Sequence, residues 1–171
     1  MPPGRLGAIP AVRDAPAHVL RFDADVDLTR TFDREQFSRG LASWDWVGVG
    51  RRVPMYTSLF GDVFFESYDG YWWLDTVRGR LTRPWEGLDE LEADLDSSQG
   101  QRRYLRAGLA LDAELRGLLP GPGTVYGFTV APIVGGAMAV ENLELMDFSL
   151  RLHLAGQLHG WVREGRSHSP R

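Results

Sequence analysis

Val63-Phe64-Phe65-Glu66-Ser67-Tyr68-Asp69-Gly70-Tyr71-Trp72-Trp73-Leu74-Asp75 decides the fold. Two runs of aromatic and aliphatic residues flank Asp69-Gly70, a strong signal for a two-residue hairpin turn. A type I′ turn needs positive φ at both central positions, and Asp-Gly supplies them cheaply. With that turn, Tyr68 opposes Tyr71, Glu66 opposes Trp73 and Phe64 opposes Asp75. Side chains along a strand alternate between faces. Val63, Phe65, Trp72 and Leu74 then form an apolar core face. Asp62, Phe64, Glu66, Tyr68, Tyr71, Trp73 and Asp75 form a second face that mixes carboxylates with aromatics.

Strand signals extend outward from this hairpin over residues 53–82, with a second turn at Arg78-Gly79 leading into a short strand at 80–82. Upstream, Asp33 and Gln36 have capping-box spacing, and Phe32 and Phe37 that of a hydrophobic staple. Phe37, Leu41 and Trp44 continue as a helical stripe. Downstream, Leu88, Leu91 and Leu95 mark a short helix. Ser98 and Gln101 cap a second one, with the stripe Tyr104, Gly108, Leu111, Leu115 and Leu118. Gly108 is expected to permit close helix packing, since glycine in a helix interior costs about 1 kcal/mol relative to alanine. Pro120-Gly121-Pro122-Gly123 ends that helix. Residues 125–130 read as a strand, Gly135-Gly136 as a turn and 137–140 as a short strand. Residues 146–162 fit both periodicities, and their length favours a helix. The sum is an α+β domain, an antiparallel sheet with flanking helices. Residues 1–16, rich in proline, read as a flexible leader, 17–163 as a single domain and 164–171 as a polar tail. The residues ahead of Asp33 are too few for a further domain.

The chain has 171 residues, enough for one domain with a sizeable core, and no apolar run long enough to span a membrane. Its net charge is −4, and all 19 basic residues are arginine. Residues 17–162 hold 14 Arg against 21 Asp and Glu, a balance of −7. Such a body repels nucleic acid and suits a basic partner. Cysteine is absent, which removes disulfides, thiolate metal sites and cysteine nucleophiles. The N-terminus lacks the apolar core of a secretory signal, so a cytoplasmic location is expected.

The search for chemistry is mostly negative. His153 and His159 are six apart and do not share a helix face; His18 and His168 lie far off in sequence, so no metal or cofactor is expected. Ser58 lies in no nucleophile motif. The glycine pairs lack the helix start or lysine of a phosphate loop. Carboxylates are abundant: Glu86, Asp89, Glu90, Glu92, Asp94 and Asp96 lie in eleven residues without a base. The bland reading of that run is a solvated helix face. The second hairpin face reads either as core under a helix or as a binding surface, because Tyr and Trp anchor interfaces and carboxylates select basic partners.

Ser58-Leu59-Phe60-Gly61-Asp62-Val63-Phe64-Phe65 and Asp69-Gly70-Tyr71-Trp72-Trp73-Leu74-Asp75 resemble the C-terminal domain of bacterial type VI secretion immunity proteins, which protect their producer from its own antibacterial DNase toxin. The resemblance continues through Tyr104-Leu105-Arg106-Ala107-Gly108-Leu109-Ala110, Leu119-Pro120-Gly121-Pro122-Gly123, Gly135-Gly136, Glu141-Asn142-Leu143-Glu144 and Gly156-Gln157-Leu158-His159, so that it spans roughly residues 40–163. A looser similarity reaches the SUKH superfamily of immunity proteins. The resemblance implies a non-enzymatic cytoplasmic binder of a cognate toxin.

The sequence therefore predicts an immunity-type protein that neutralises a basic toxin, a nuclease in the first instance, with no cofactor. The expected contact face is Asp62, Glu66, Asp69, Tyr71, Trp73 and Asp75, with the acids of 86–96 as second choice. On that reading Tyr71→Ala and Trp73→Ala weaken binding and leave the domain folded. A ligand- or carbohydrate-binding module and a carboxylate-dependent hydrolase remain the alternatives.

Overall fold

The computed structural model describes residues 27–167. The leader at 1–16, His18 and His168 lie outside the described residues. Five strands form one antiparallel sheet in sequential order: β1 (Thr29–Arg30), β2 (Val53–Ser58), β3 (Val63–Ser67), β4 (Gly70–Asp75) and β5 (Arg80–Trp85). Helices cover both faces, so the α+β expectation holds.

The central hairpin forms with a different register. Ser67 opposes Gly70, Glu66 opposes Tyr71 and Phe64 opposes Trp73. The turn residues are Tyr68 and Asp69, and Gly70 alone takes positive φ, at +130°. A Cβ on Gly70 would lie 2.6 Å from the Trp85 carbonyl oxygen, so glycine is required there twice over. Asp69 keeps ordinary φ and its carboxylate accepts a bond from Trp72 Nε1 at 2.9 Å. The slip moves each partner by two positions, and a period of two leaves every side chain on its expected face.

Both of those faces are core. On one, Val63, Phe65 and Leu74 pack with Phe37 of α1 (Arg34–Leu41) and with Phe148 and Leu152 of α5 (Phe148–Ser167). On the other, Phe64 and Trp73 pack beneath α2 (Leu88–Asp96), α3 (Ser98–Tyr104) and α4 (Ala107–Leu115), against Trp85, Leu91, Leu95, Tyr104 and Ala110. Burying each large apolar side chain contributes about 1.5–3 kcal/mol, so neither face could be uncovered cheaply.

The α1 start is as read from the sequence. Asp33 accepts from the Gln36 amide at 2.8 Å, and Gln36 Oε1 accepts from the Asp33 amide at 3.0 Å. Phe32 meets Phe37 edge-on at 6.2 Å and stacks on Phe148 at 3.8 Å. α1 crosses α5 where Gly40 leaves no Cβ; one there would come within 2.7 Å of the Leu152 side chain. Beyond α1, Trp44 Nε1 donates to the Leu152 carbonyl at 2.8 Å and Ser43 Oγ to that of His153 at 2.7 Å.

The helix expected from Ser98 to Leu118 is broken in two. Ser97, not Ser98, caps α3, accepting from the Gly100 amide at 3.0 Å. Arg106 then takes φ +50°, the one described residue other than glycine with positive φ. The break rotates α4, whose buried face is Ala107, Ala110 and Ala113 rather than the expected stripe. Leu115 is 77% exposed, and Gly108 faces open space, so its expected packing role is not met.

A second sheet pairs β6 (Thr124–Phe128) with β7 (Leu143–Asp147). It joins the first through the Tyr126 amide, which donates to the Leu59 carbonyl at 2.7 Å. The strand expected at 137–140 is absent. Asn142 instead ties the loop, bonding Val130 through both its carbonyl and its amino group. The final helix forms but begins at Phe148, because Met146 and Asp147 pair with Val125 and Thr124. It runs to Ser167, into the segment read as a tail.

Candidate functional site

The six expected contact residues separate. Asp62, Trp73 and Asp75 are buried, at 0%, 6% and 2% exposure. As arranged they cannot form a contact face. Glu66, Asp69 and Tyr71 are half-buried near the hairpin tip.

The two buried carboxylates are held by one arginine. Arg106 pairs through Nη1 with Asp62 Oδ2, and through Nη2 with Asp75 Oδ1 at 2.7 Å. Asp62 also accepts from Ser58 Oγ, the Thr76 amide and Thr76 Oγ1, each at 2.9 Å. Asp75 accepts from the Val77 and Arg78 amides at 3.0 Å. Burial works against the charged guanidinium, but the two carboxylates outweigh it and raise the Arg106 pKa. This explains the backbone at Arg106. Positive φ costs a non-glycine residue roughly 1–2 kcal/mol, and two buried charge-assisted bonds offset it. Ser58, weighed in sequence as a nucleophile, accepts from the Phe60 and Asp62 amides at 3.1 and 3.2 Å and closes a turn.

Arg151, on α5, enters the same region, with Nη2 at 3.4 Å from Thr76 Oγ1. His159 lies one layer out, with Nε2 at 3.0 Å from the Thr76 carbonyl oxygen. Burial pushes its pKa below the ordinary 6.5, partly offset by that bond. Folded and unfolded chains both hold neutral imidazole well above that value. As pH falls, the unfolded imidazole protonates first, so the contribution of His159 to stability is lost on the acid side. The advantage of the wild type over His159→Gln in urea denaturation is expected to shrink between about pH 7.5 and about pH 5. A constant difference would show that the ring does not titrate differently on folding.

The acids of 86–96 have the opposite fate. Glu86, Asp89, Glu90, Glu92 and Asp96 are exposed; Asp94 is half-buried and accepts from Trp85 Nε1 at 2.9 Å. Leu91 and Leu95 turn the helix inward, which leaves its carboxylates outward. The hairpin tip abuts the start of this helix: a Cβ on Gly70 would lie 3.4 Å from Glu86 Cα. At that tip Tyr68 is 98% exposed. The bond from Trp72 Nε1, aided by Arg83, holds the Asp69 pKa below the usual carboxylate range. The exposed α2 acids thus begin beside a tip with a projecting aromatic ring, where Arg83 donates to the Asp69 carbonyl and the Asp69 carboxylate turns to Trp72. Sequence reasoning placed Tyr68 on the mixed hairpin face but not among the expected contacts; its place next to Asp-Gly at a hairpin tip was the available signal of its exposure.

Residues 86–159 match the family described as T6SS immunity protein Tdi1, C-terminal. The resemblance read from the sequence holds over this stretch, somewhat under half of the chain. It starts at the first acid of the exposed run and takes in α2, α3, α4, β6, β7 and most of α5. Arg106, Arg151 and His159 lie inside it, whereas the carboxylates that Arg106 holds lie before it. The comparison with curated proteins gives no match. Among solved structures, the crystal structure of Atu4351 from Agrobacterium tumefaciens is similar, with 15% identity and a TM-score of 0.47, over 72% of this chain and 62% of that one. The chain therefore spans less than two thirds of that protein's length. No helix among the described residues is long and apolar enough to cross a membrane.

Proposed function

We propose that this protein is an immunity protein that binds and neutralises a bacterial toxin from the cytoplasmic side. The family match carries the reading. The surface we assign to the toxin is the acidic one formed by Tyr68, Asp69, Glu86, Asp89, Glu90 and Glu92, rather than the buried face of Asp62, Trp73 and Asp75. The chemistry suits a basic toxin, and a nuclease cleft that holds phosphate has that character. Exposed carboxylates steer an oppositely charged partner, and rapid capture is what protection requires. Tyr68 would supply the desolvated anchor that charge alone lacks. The hydrolase alternative loses ground because Asp62 and Asp75 are each occupied by an arginine and further donors.

The test is affinity capture with the full chain from lysate of its source, washed at low and high salt. Wild type is expected to retain a basic protein that is toxic when expressed alone and harmless when co-expressed with this chain. Reversing Glu86, Asp89, Glu90 and Glu92 to lysine is expected to slow association by about tenfold or more at low salt, with unchanged thermal unfolding. A captured toxin that binds the reversed variant equally well would sink the surface. Capture of no protein whose toxicity the chain relieves would sink the function.

A further inference from the structure

A cleft of about 430 Å³ lies between the β6–β7 sheet, the loop that follows β6, and α5. Its walls are mostly apolar, with Phe128, Ile133, Met146, Leu154 and Leu158 among them. Arg151 forms part of the wall. Its side chain is 7% exposed, and Nε is enclosed without a hydrogen-bond partner.

The position of Arg151 is built into the fold. Its Cγ lies 3.9 Å from where a Cβ on Gly61 would be, and its Cδ 3.4 Å from one on Gly127. Both are ordinary contact distances, so the stem is closely packed between these two segments. The buried carboxylates do not complete its hydrogen bonding, since Arg106 takes both of them and Arg151 reaches only Thr76 Oγ1 at 3.4 Å. A buried guanidinium short of acceptors is costly, and a carboxylate is the group that satisfies it best. Apolar walls with a few convergent polar groups, here Arg151, His159, Thr76 and Thr129, are the usual makeup of a small-molecule site, and the volume lies in the usual range.

We infer that this cleft binds a small monocarboxylate with an apolar body, its head on Arg151 and its tail among Phe128, Ile133, Leu154 and Leu158. This inference is independent of the toxin-binding surface, which lies on other elements. Glu144 also lines the cleft and is exposed. Its charge opposes an anion, weakly because it is solvated.

The test is calorimetric titration of the full chain with sodium octanoate, and with octanamide as the uncharged isostere. Octanoate is expected to bind at least about tenfold more tightly than octanamide and to raise the unfolding temperature. Leu154→Asp, at a position 44% exposed on the cleft wall, is expected to weaken octanoate by about tenfold or more with folding intact. Glu144→Gln is expected to tighten octanoate by up to about fivefold and leave octanamide unchanged. Arg151→Met is expected to erase the preference for the acid, with folding checked by circular dichroism. Should that variant fail to fold, Leu154→Asp and Glu144→Gln decide. No octanoate binding, equal binding of the amide, or full affinity in Leu154→Asp would each overturn the inference.

Discussion

Replacing Arg106 by methionine is expected to remove about 3–5 kcal/mol of stability, because it strands charged groups in the interior. A domain of this size has only about 5–15 kcal/mol in total, so the variant should unfold at much lower urea or not fold at all. Asp62, just before β3, and Asp75, the last residue of β4, meet at the open end of that hairpin, and one guanidinium joins them to the α3–α4 junction. Without it, Asp62 keeps its amide and hydroxyl donors but loses its ion-pair partner, while Asp75 keeps its amide donors and the exposed Arg78 at 3.7 Å. Adding Asp62→Asn to Arg106→Met is expected to recover part of the loss, since one buried negative charge then goes while Asp75 still offsets the buried Arg151. Arg106→Gly separates the backbone from the charge. It relieves the positive φ, worth roughly 1–2 kcal/mol, and should still be clearly less stable than wild type. A loss under about 1 kcal/mol in Arg106→Met would mean that water or movement compensates the carboxylates.

Trp73→Ala is the second large effect, expected to cost about 3–5 kcal/mol. The ring is 6% exposed and meets Tyr104 edge-on at 4.8 Å. Truncation leaves a cavity between β4 and the helices above it. Trp73→Phe should cost much less, because Trp73 Nε1 has no hydrogen-bond partner and the donor is lost without penalty. Tyr71→Ala, at a half-buried position, should fall well below Trp73→Ala. Urea denaturation of the three variants ranks them. The sequence suggests the reverse for Trp73, a loss of partner binding in a folded protein. A Trp73→Ala variant with wild-type stability and impaired toxin capture would restore that reading and require the helices over this face to open.

The elements that local chemistry determines were legible. The Asp33–Gln36 capping box, the Phe32–Phe37 staple and the acidic, leucine-backed α2 depend on contacts within a few residues, and the chain forms all three. The face assignments of the hairpin survived a register error because a shift of two positions preserves side. The acidic balance was equally legible, because charge counts need no coordinates.

Tertiary structure decided the rest. Alternation puts Asp62, Trp73 and Asp75 on one face of a hairpin, but whether that face meets solvent depends on which helices fold over it. A carboxylate reads as surface in sequence, because burying it costs more than most contacts return. That rule fails here on account of Arg106, 44 residues from Asp62 and 31 from Asp75. The same long-range pairing broke the helical stripe at Tyr104 and Gly108, where local periodicity promised continuity. So the sequence by itself determined α1, α2 and the two sides of the β3–β4 hairpin. Only the folded chain decided which acids are ion-paired inside and which remain outside, because that depends on groups brought together from distant segments.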